Sequence, residues 1–452
     1  MRDRYQVVIV GAGPSAIFAA LTLIKSNVKS IAIFEKGKDI HERKRGRGMD
    51  LLCGWGGAGA FSDGKLTLST KVGGFLSDFI PQTELTTLLK KADETYLSFG
   101  APKEIHGQSS DKTEALYHEA KLAGLEFIPM EIRHLGTENC APLLKRVRET
   151  VDKKVEVFFE TPVKEILVER RKTKGILLEN GTEVNADYVI CGPGRVGAGW
   201  IKNEVQRLGI PSISSPVDIG VRVEAPASIL RTLTDLAYEA KLIYYSKTFD
   251  EKVRTFCMNP FGEVVTETIE EIITVNGHSY AEKKTENTNF AILVSSTFTE
   301  PFNDPIGYGK YIARLANLLG NGVIVQRLGD FLDGRRSTPD RITRCMTHPT
   351  LPSATPGDLS FVLPYRHLKS IVEMLEALDR ITPGIYSRHT LLYGVEVKFY
   401  TNRLKLSPTL ETDIQNLFLI GDGAGITRGL IQASMSGMIA ADEILKRMGL
   451  GS

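Results

Sequence analysis

The chain has 452 residues, 42% hydrophobic and 24% charged, with a formal net charge of +2. That length argues for two or three domains and the composition for an ordinary soluble globular protein. So small a charge recruits neither nucleic acid nor an anionic membrane. No apolar run approaches the ~18 residues of an integral membrane span. The five cysteines are scattered and form no Cys-x-x-Cys pair, which indicates neither a zinc site nor a redox dithiol and fits a reducing, cytoplasmic setting. No histidine spacing suits a metal, so no metal site is expected.

The first predicted element is a strand. Val7, Val8, Ile9 and Val10 form an apolar run suited to burial on both faces. Gly11 and Gly13 then permit a tight turn and close approach of backbone to a pyrophosphate. A helix over 14–25 follows, with Pro14 at its first turn and its positive end directed at the phosphates. A second strand over 30–34 ends at Glu35, 24 residues after Gly11 and near the ~20 expected for an acid that holds ribose hydroxyls. Lys36 follows it. Strand, turn, helix, strand and acid in this order predict a dinucleotide site.

Residues 43–69 are glycine-rich but carry Trp55 and Phe61, unlike a flexible linker. Gly56, Gly57 and Ala58 in this loop bring backbone amides toward a planar or anionic ligand. Residues 71–129 read as a mostly helical segment, and 134–151 as a capped helix. Short strands with a turn at Asn180-Gly181 fill 155–190. They lead to a second glycine turn at 192–197, which begins with Gly192 and lacks a ribose acid of its own. Residues 205–385 alternate strand-like pieces with a helix over 308–319, an α+β domain inserted into the dinucleotide-binding fold. The chain then returns with a buried strand, the turn Gly421-Asp422-Gly423-Ala424-Gly425-Ile426, and a final helix over 430–448.

These motifs resemble the FAD-dependent dehydrogenases or oxidoreductases of the glutathione-reductase-like flavoprotein superfamily. The resemblance rests on GAGPSA with Glu35, GGAGAFSDGKL at 56–66, RHLGTEN at 133–139, GPGR at 192–195, VDIGVRVE at 217–224, TFCMNPFGEVV at 255–265, GVE at 394–396 and GDGAG at 421–425. It implies an α/β fold: a Rossmann-like FAD-binding domain (parallel sheet plus β-meander) over 1–70, 130–204 and 386–452, and an inserted substrate or cap domain over 205–385. It implies FAD as cofactor. Gly11, Gly13 and Ser15 would hold the pyrophosphate, Glu35 the adenosine ribose, and Val163 the adenine. Asp422 would meet the ribityl or pyrophosphate portion.

The expected reaction is hydride transfer between an organic small-molecule substrate and flavin N5. NADH or NADPH stands open as a transient electron donor, as does a separate electron-transfer partner. A flavin monooxygenase, a polyprenyl or isoprenoid reductase and a non-enzymatic FAD-binding regulator are the alternatives. Lys65 and Glu396 are the candidate catalytic residues, Lys65 as orienter of a carboxylate or flavin contact and Glu396 as a carboxylate aimed into a pocket. Arg428 either tunes the flavin from its reduced, anionic edge or caps a helix at the surface. Arg222 and Glu224 are expected to pair with each other, Cys257 to be a core thiol and His278 to lie in a turn.

Overall fold

The computed structural model describes the chain apart from residues 45–47, 109, 214–215, 238–239, 270, 281–283, 299–301, 303, 399–402 and 452. Residues 45–47 of the first glycine-rich stretch therefore lie outside the described residues. Two compact units divide the chain: Met1–Ile105 with Ile132–Ser214 and Thr401–Ser452, and His106–Glu131 with Ser215–Tyr400.

The first unit is built on a parallel sheet. Strand Arg4–Val10 lies between Ile31–Phe34 and Glu183–Cys191, and Ile31–Phe34 pairs in turn with Glu156–Phe158. Val7, Val8 and Ile9 are wholly buried, as an uninterrupted apolar run demands. Strand Glu183–Cys191 divides its other edge. Its beginning pairs antiparallel with Lys172–Leu178, which with Val163–Glu169 forms a meander, and its end pairs parallel with Leu417–Leu419. The fold is thus α/β, with a parallel sheet plus a β-meander.

Helix Pro14–Lys25 and the closing helix Leu430–Arg447 pack in very close contact. Ala16, Ala19, Ala440 and Ala441 are buried. At Gly437 a Cβ would come within 1.9 Å of the Ser15 carbonyl oxygen, so only glycine lets the two backbones meet here.

The second unit is α+β. Its eight-stranded sheet runs Thr355–Pro356, Ile324–Arg327, Leu391–Lys398, Val217–Pro226, Asn287–Ser296, Lys252–Asn259, Lys241–Tyr245, Leu125–Ile128. Period-two alternation sorts the central strand Val217–Pro226 into two faces. Val217, Ile219, Val221, Val223 and Ala225 join a core with helices Ala227–Leu236, Pro305–Gly320 and Tyr365–Asp379. Asp218, Arg222 and Glu224 fall on the other face and are also buried. A hairpin, Glu263–Ile269 with Ile272–His278, belongs to this unit, so His278 ends a strand instead of sitting in a turn.

The segment expected to be mostly helical is divided. Helix Gln82–Ser98 lies in the first unit, whereas helix Asp111–Leu122 and strand Leu125–Ile128 lie in the second. Strand Leu125–Ile128 escaped the helical reading because its four residues complete a sheet edge against Lys241–Tyr245, a partner 113 or more residues later. Among the described residues no helix is long and apolar enough to cross a membrane, and no group of three His, Cys, Asp or Glu side chains could hold a metal.

Candidate cofactor site and a buried polar sheet face

The carboxyl ends of the parallel strands converge in the first unit. Gly11 N donates to Phe34 O (2.8 Å), Gly192 N to Val10 O (2.8 Å) and Ile420 N to Cys191 O (2.9 Å). This register brings the turns beginning at Gly11, Glu35, Gly192 and Gly421 side by side, the place where open parallel sheets bind ligands. Gly11 has φ +93°, and a Cβ there would lie 2.4 Å from Gly192 O. Gly13 differs: it caps helix Pro14–Lys25 in an ordinary extended conformation, and a Cβ would meet nothing within 4 Å. Ser15 is buried between Gly192 and Gly421.

Glu35 is 6% exposed. Its Oε1 accepts from Gly37 N (2.8 Å), Gly54 N (3.1 Å) and the Cys53 thiol (3.2 Å), and its Oε2 from Ala12 N (2.7 Å). A carboxylate offers about four lone-pair positions, two per oxygen, so Oε2 retains room for one more donor. Lys36 beside it is exposed. Burial and the adjacent Glu35 push the Cys53 thiol up to about 12.

The glycine-rich loop packs directly on this turn. Gly56 N donates to Ala12 O (2.8 Å), and a Cβ on Gly57 would lie 3.3 Å from Gly13 Cα. Ala58 follows within the short helix Gly57–Phe61. Arg43 holds the loop's shape: its guanidinium donates to the carbonyls of Asp50, Leu51, Trp55 and Gly57. Sequence reasoning passed over Arg43, since its partners are all main-chain oxygens that no motif reveals. Trp55 is fully buried, with Nε1 donating to Leu144 O (3.0 Å) and the Arg148 guanidinium over its ring.

The closing turn completes the cluster. Gly421 has φ +73°, and Gly425 is also left-handed. Thr427 Oγ1 donates to Asp422 Oδ1 (2.7 Å), and Arg195 lies 3.7 Å from Asp422 Oδ2. Burial pushes the Asp422 carboxyl above its ordinary range despite Arg195, Thr427 and Arg428. Phe75 N donates to Ile426 O (2.8 Å), and Arg428 N to Gly73 O (2.7 Å). Arg428 and Arg403 lie over the Phe75 ring at 4.6 and 4.3 Å. Arg428 is therefore an aromatic-stacked cation and not a simple helix cap. Val163 is buried at the start of the meander.

Lys65 begins strand Lys65–Thr67, its side chain 9% exposed and its Nζ 3.1 Å from Asp63 Oδ2. It is no surface lysine. Glu396 lies in the second unit. Arg222 grips it with Nε (2.8 Å) and Nη2 (2.9 Å), and Lys398 Nζ lies 3.1 Å away. Both Arg222 and Glu396 are fully buried. The expected Arg222–Glu224 pair is corrected: residues two apart share a face, but each finds its partner across the sheet. Glu224 accepts from Tyr393, Thr350 and Asn287. Despite burial the Glu396 carboxyl is held below its usual range by Arg222 and Lys398, while burial pushes Glu224 up.

Residues 216–399 match a family described as FAD-dependent protein, C-terminal domain-like. An uncharacterised protein of Clostridium beijerinckii is 28% identical over 479 residues, covering 98% of this chain and 81% of that one. Among solved structures, formate oxidase of Aspergillus oryzae is similar at 12% identity over 99% of each chain, with a TM-score of 0.46. L-Proline dehydrogenase of P. horikoshii is similar at 12% identity over 99% of this chain and 95% of its own, with a TM-score of 0.43.

Proposed function

We propose that the chain is an FAD-dependent oxidoreductase that moves a hydride between an organic substrate and the flavin. The observation that carries this reading is the convergence of the Gly11, Glu35, Gly192 and Gly421 turns at the ends of four parallel strands. The match of residues 216–399 to an FAD-dependent family supports it from the other unit.

The residues present fit the cofactor. Gly13 leaves open space where any side chain would stand, and the helix begun by Pro14 and Ser15 offers N–H groups and a positive end to a pyrophosphate. Glu35 Oε2 keeps one acceptor position for a ribose hydroxyl, with Lys36 exposed beside it. Gly56, Gly57 and Ala58 wall the turn, Val163 would lie against the adenine, and Gly192, Gly421, Gly425 and Ile426 shape the far side. Asp422, oriented by Thr427 in the closing turn, would meet the ribityl or pyrophosphate portion. Bound FAD would supply the two-electron acceptor or donor at N5.

Proton handling falls to this chain's own groups. Lys65, ordered by Asp63, is the candidate to orient a substrate carboxylate. Glu396 is ill-suited to act as a base, because two cations hold its charge, and we assign it to positioning Arg222. The test is anaerobic titration of the purified holoprotein with NADH and NADPH while its visible spectrum is recorded. Bleaching by one nicotinamide supports a reductase, and rapid reoxidation by admitted oxygen with substrate hydroxylation turns the assignment to a monooxygenase. A flavin that neither nicotinamide nor any organic donor reduces would overturn the enzymatic reading in favour of a flavin-holding regulator.

A further inference from the structure

The chain's excess of positive charge gathers in one part of the second unit. Residues 327–344 carry Arg327, Arg335, Arg336, Arg341 and Arg344 against Asp330, Asp333 and Asp340, and no lysine. Arg388 joins them through two hydrogen bonds to Asp333. Asp358 borders the group, its Oδ1 3.4 Å from Gln326 Nε2, which also donates to Arg335 O. Six arginines thus meet four carboxylates, an excess equal to the +2 of the whole chain.

The carboxylates are occupied within the group. Asp330 is wholly buried and accepts from Arg327 Nε (2.9 Å) and Nη2 (3.0 Å), Arg335 Nε (3.0 Å) and Ser337 Oγ (2.8 Å). These donors fill the about four lone-pair positions of a carboxylate, so Arg341, 3.7 Å away, stands outside them. Asp333 takes Arg388 and Arg335 Nη2 (2.9 Å). Arg344 donates to Asp340 O (3.2 Å), and Arg336 contributes its carbonyl to Arg341 Nη1 (2.9 Å). Arg336 and Arg344 are exposed, and among the described residues neither guanidinium meets a carboxylate.

Apolar side chains stand among these cations. Leu332 is 40% and Met346 73% exposed. Leu332 adjoins Asp333 in the chain, and Met346 N donates to His389 Nδ1 (3.3 Å), next to Arg388. The network around Asp330 accounts for Arg327 and Arg335, but not for the exposed arginines beyond it or for the apolar pair. A surface that serves only solubility mixes charges of both signs and keeps apolar side chains few. Arginine and methionine are enriched at protein–protein interfaces, where lysine is depleted, and the weakly hydrated guanidinium fork suits a carboxylate. A phosphate chain or a nucleic acid backbone has no use for Leu332 and Met346, and a second copy of this chain would set like cations against each other.

We propose that this arginine face of the second unit docks an acidic segment of a partner protein, in which Asp and Glu side chains flank an apolar residue that covers Leu332 and Met346. The partner's carboxylates meet Arg336 and Arg344, and its apolar residue keeps water from the contact. Opposite charge speeds the encounter and fixes its register. Docking draws on no flavin chemistry, so it stands or falls separately from the oxidoreductase reading.

The test is fluorescence anisotropy of a short fluorescein-labelled peptide that alternates Glu-Asp pairs with Leu, added to the FAD-incubated full chain at roughly 50 mM and roughly 200 mM salt. We expect saturable binding that weakens at the higher salt. Arg336→Glu combined with Arg344→Glu lowers the affinity at least ~10-fold, and Met346→Ala lowers it at least ~3-fold. Arg231→Glu, exposed elsewhere in the same unit and paired with Asp235, leaves it unchanged. The altered side chains are exposed, so each variant keeps the wild-type urea midpoint and flavin content. Absence of saturable binding, or equal affinity of the double variant, would overturn the proposal. So would tripolyphosphate or single-stranded DNA that binds more tightly than the peptide and is indifferent to Met346→Ala, since the face would then serve phosphate.

Discussion

Gly11 and Gly13 are two residues apart in the same turn and answer to different constraints. Gly11 must be glycine for the fold, since its φ is +93° and a Cβ would strike Gly192 O. Gly13 is extended with open space before it, so the folded chain alone does not require glycine there. We predict that Gly13→Val unfolds within about 0.5 kcal/mol of wild type yet binds FAD at least ~10-fold more weakly, because the side chain fills the pyrophosphate's approach. Gly11→Ala should lose about 2 kcal/mol or more of stability. Denaturant unfolding with FAD titration separates the two, and equal behaviour of the variants would contradict the assignment. At Glu35, a glutamine would set its own N–H₂ against main-chain N–H donors. Glu35→Gln should cost about 1–3 kcal/mol, read as a lower urea midpoint, and weaken FAD further.

At the scale of elements, the closing helix is held by the near contact of Gly437 with Ser15. Gly437→Leu would need the two helices to separate, and we expect about 3 kcal/mol or more of destabilisation, with FAD lost as the Ser15 turn shifts; a stable, FAD-bearing variant would count against the packing described. Elements whose signal is local were legible from sequence. The helix at residues 14–25, the second strand before Glu35 and the final helix appear within a residue of the expected bounds, and the first strand begins three residues earlier than expected, at Arg4. Elements defined by distant partners were not. Strand Leu125–Ile128 looks helical until its partner is known, and Arg222 could not be matched to Glu396 from a spacing of 174 residues. The stacking of Arg403 and Arg428 on Phe75 escaped for the same reason, although each residue is conspicuous alone.

For the molecule as a whole, acid stability offers a test independent of the cofactor. His367 is 4% exposed, Nε2 lies 3.0 Å from Ser296 Oγ, and burial together with Arg366 pulls its pKa down to about 4. Its folded pKa lies below the unfolded value of about 6.5, so between these values the unfolded chain binds more protons. The stability is complete above about pH 6.5 and is lost as the pH falls toward 4, amounting to about 2 kcal/mol by pH 5. Denaturant unfolding at the two pH values should show that loss, and His367→Gln should remove most of it; an unchanged slope in the variant would reject this origin.

The division into two units also explains why the site was only partly readable. Glycines and the ribose acid announce themselves in sequence, because backbone approach to phosphate leaves few residue choices. Residues that meet the substrate carry no such constraint, and the sequence offers Lys65 and Glu396 as candidates without showing their ion pairs with Asp63, Arg222 and Lys398. The most direct measurement is the visible spectrum and flavin content of the purified chain, before and after incubation with FAD, beside Gly13→Val. The account predicts a yellow protein with one FAD per chain and a folded but colourless Gly13→Val. A folded wild-type chain that stays colourless after incubation with FAD would contradict it.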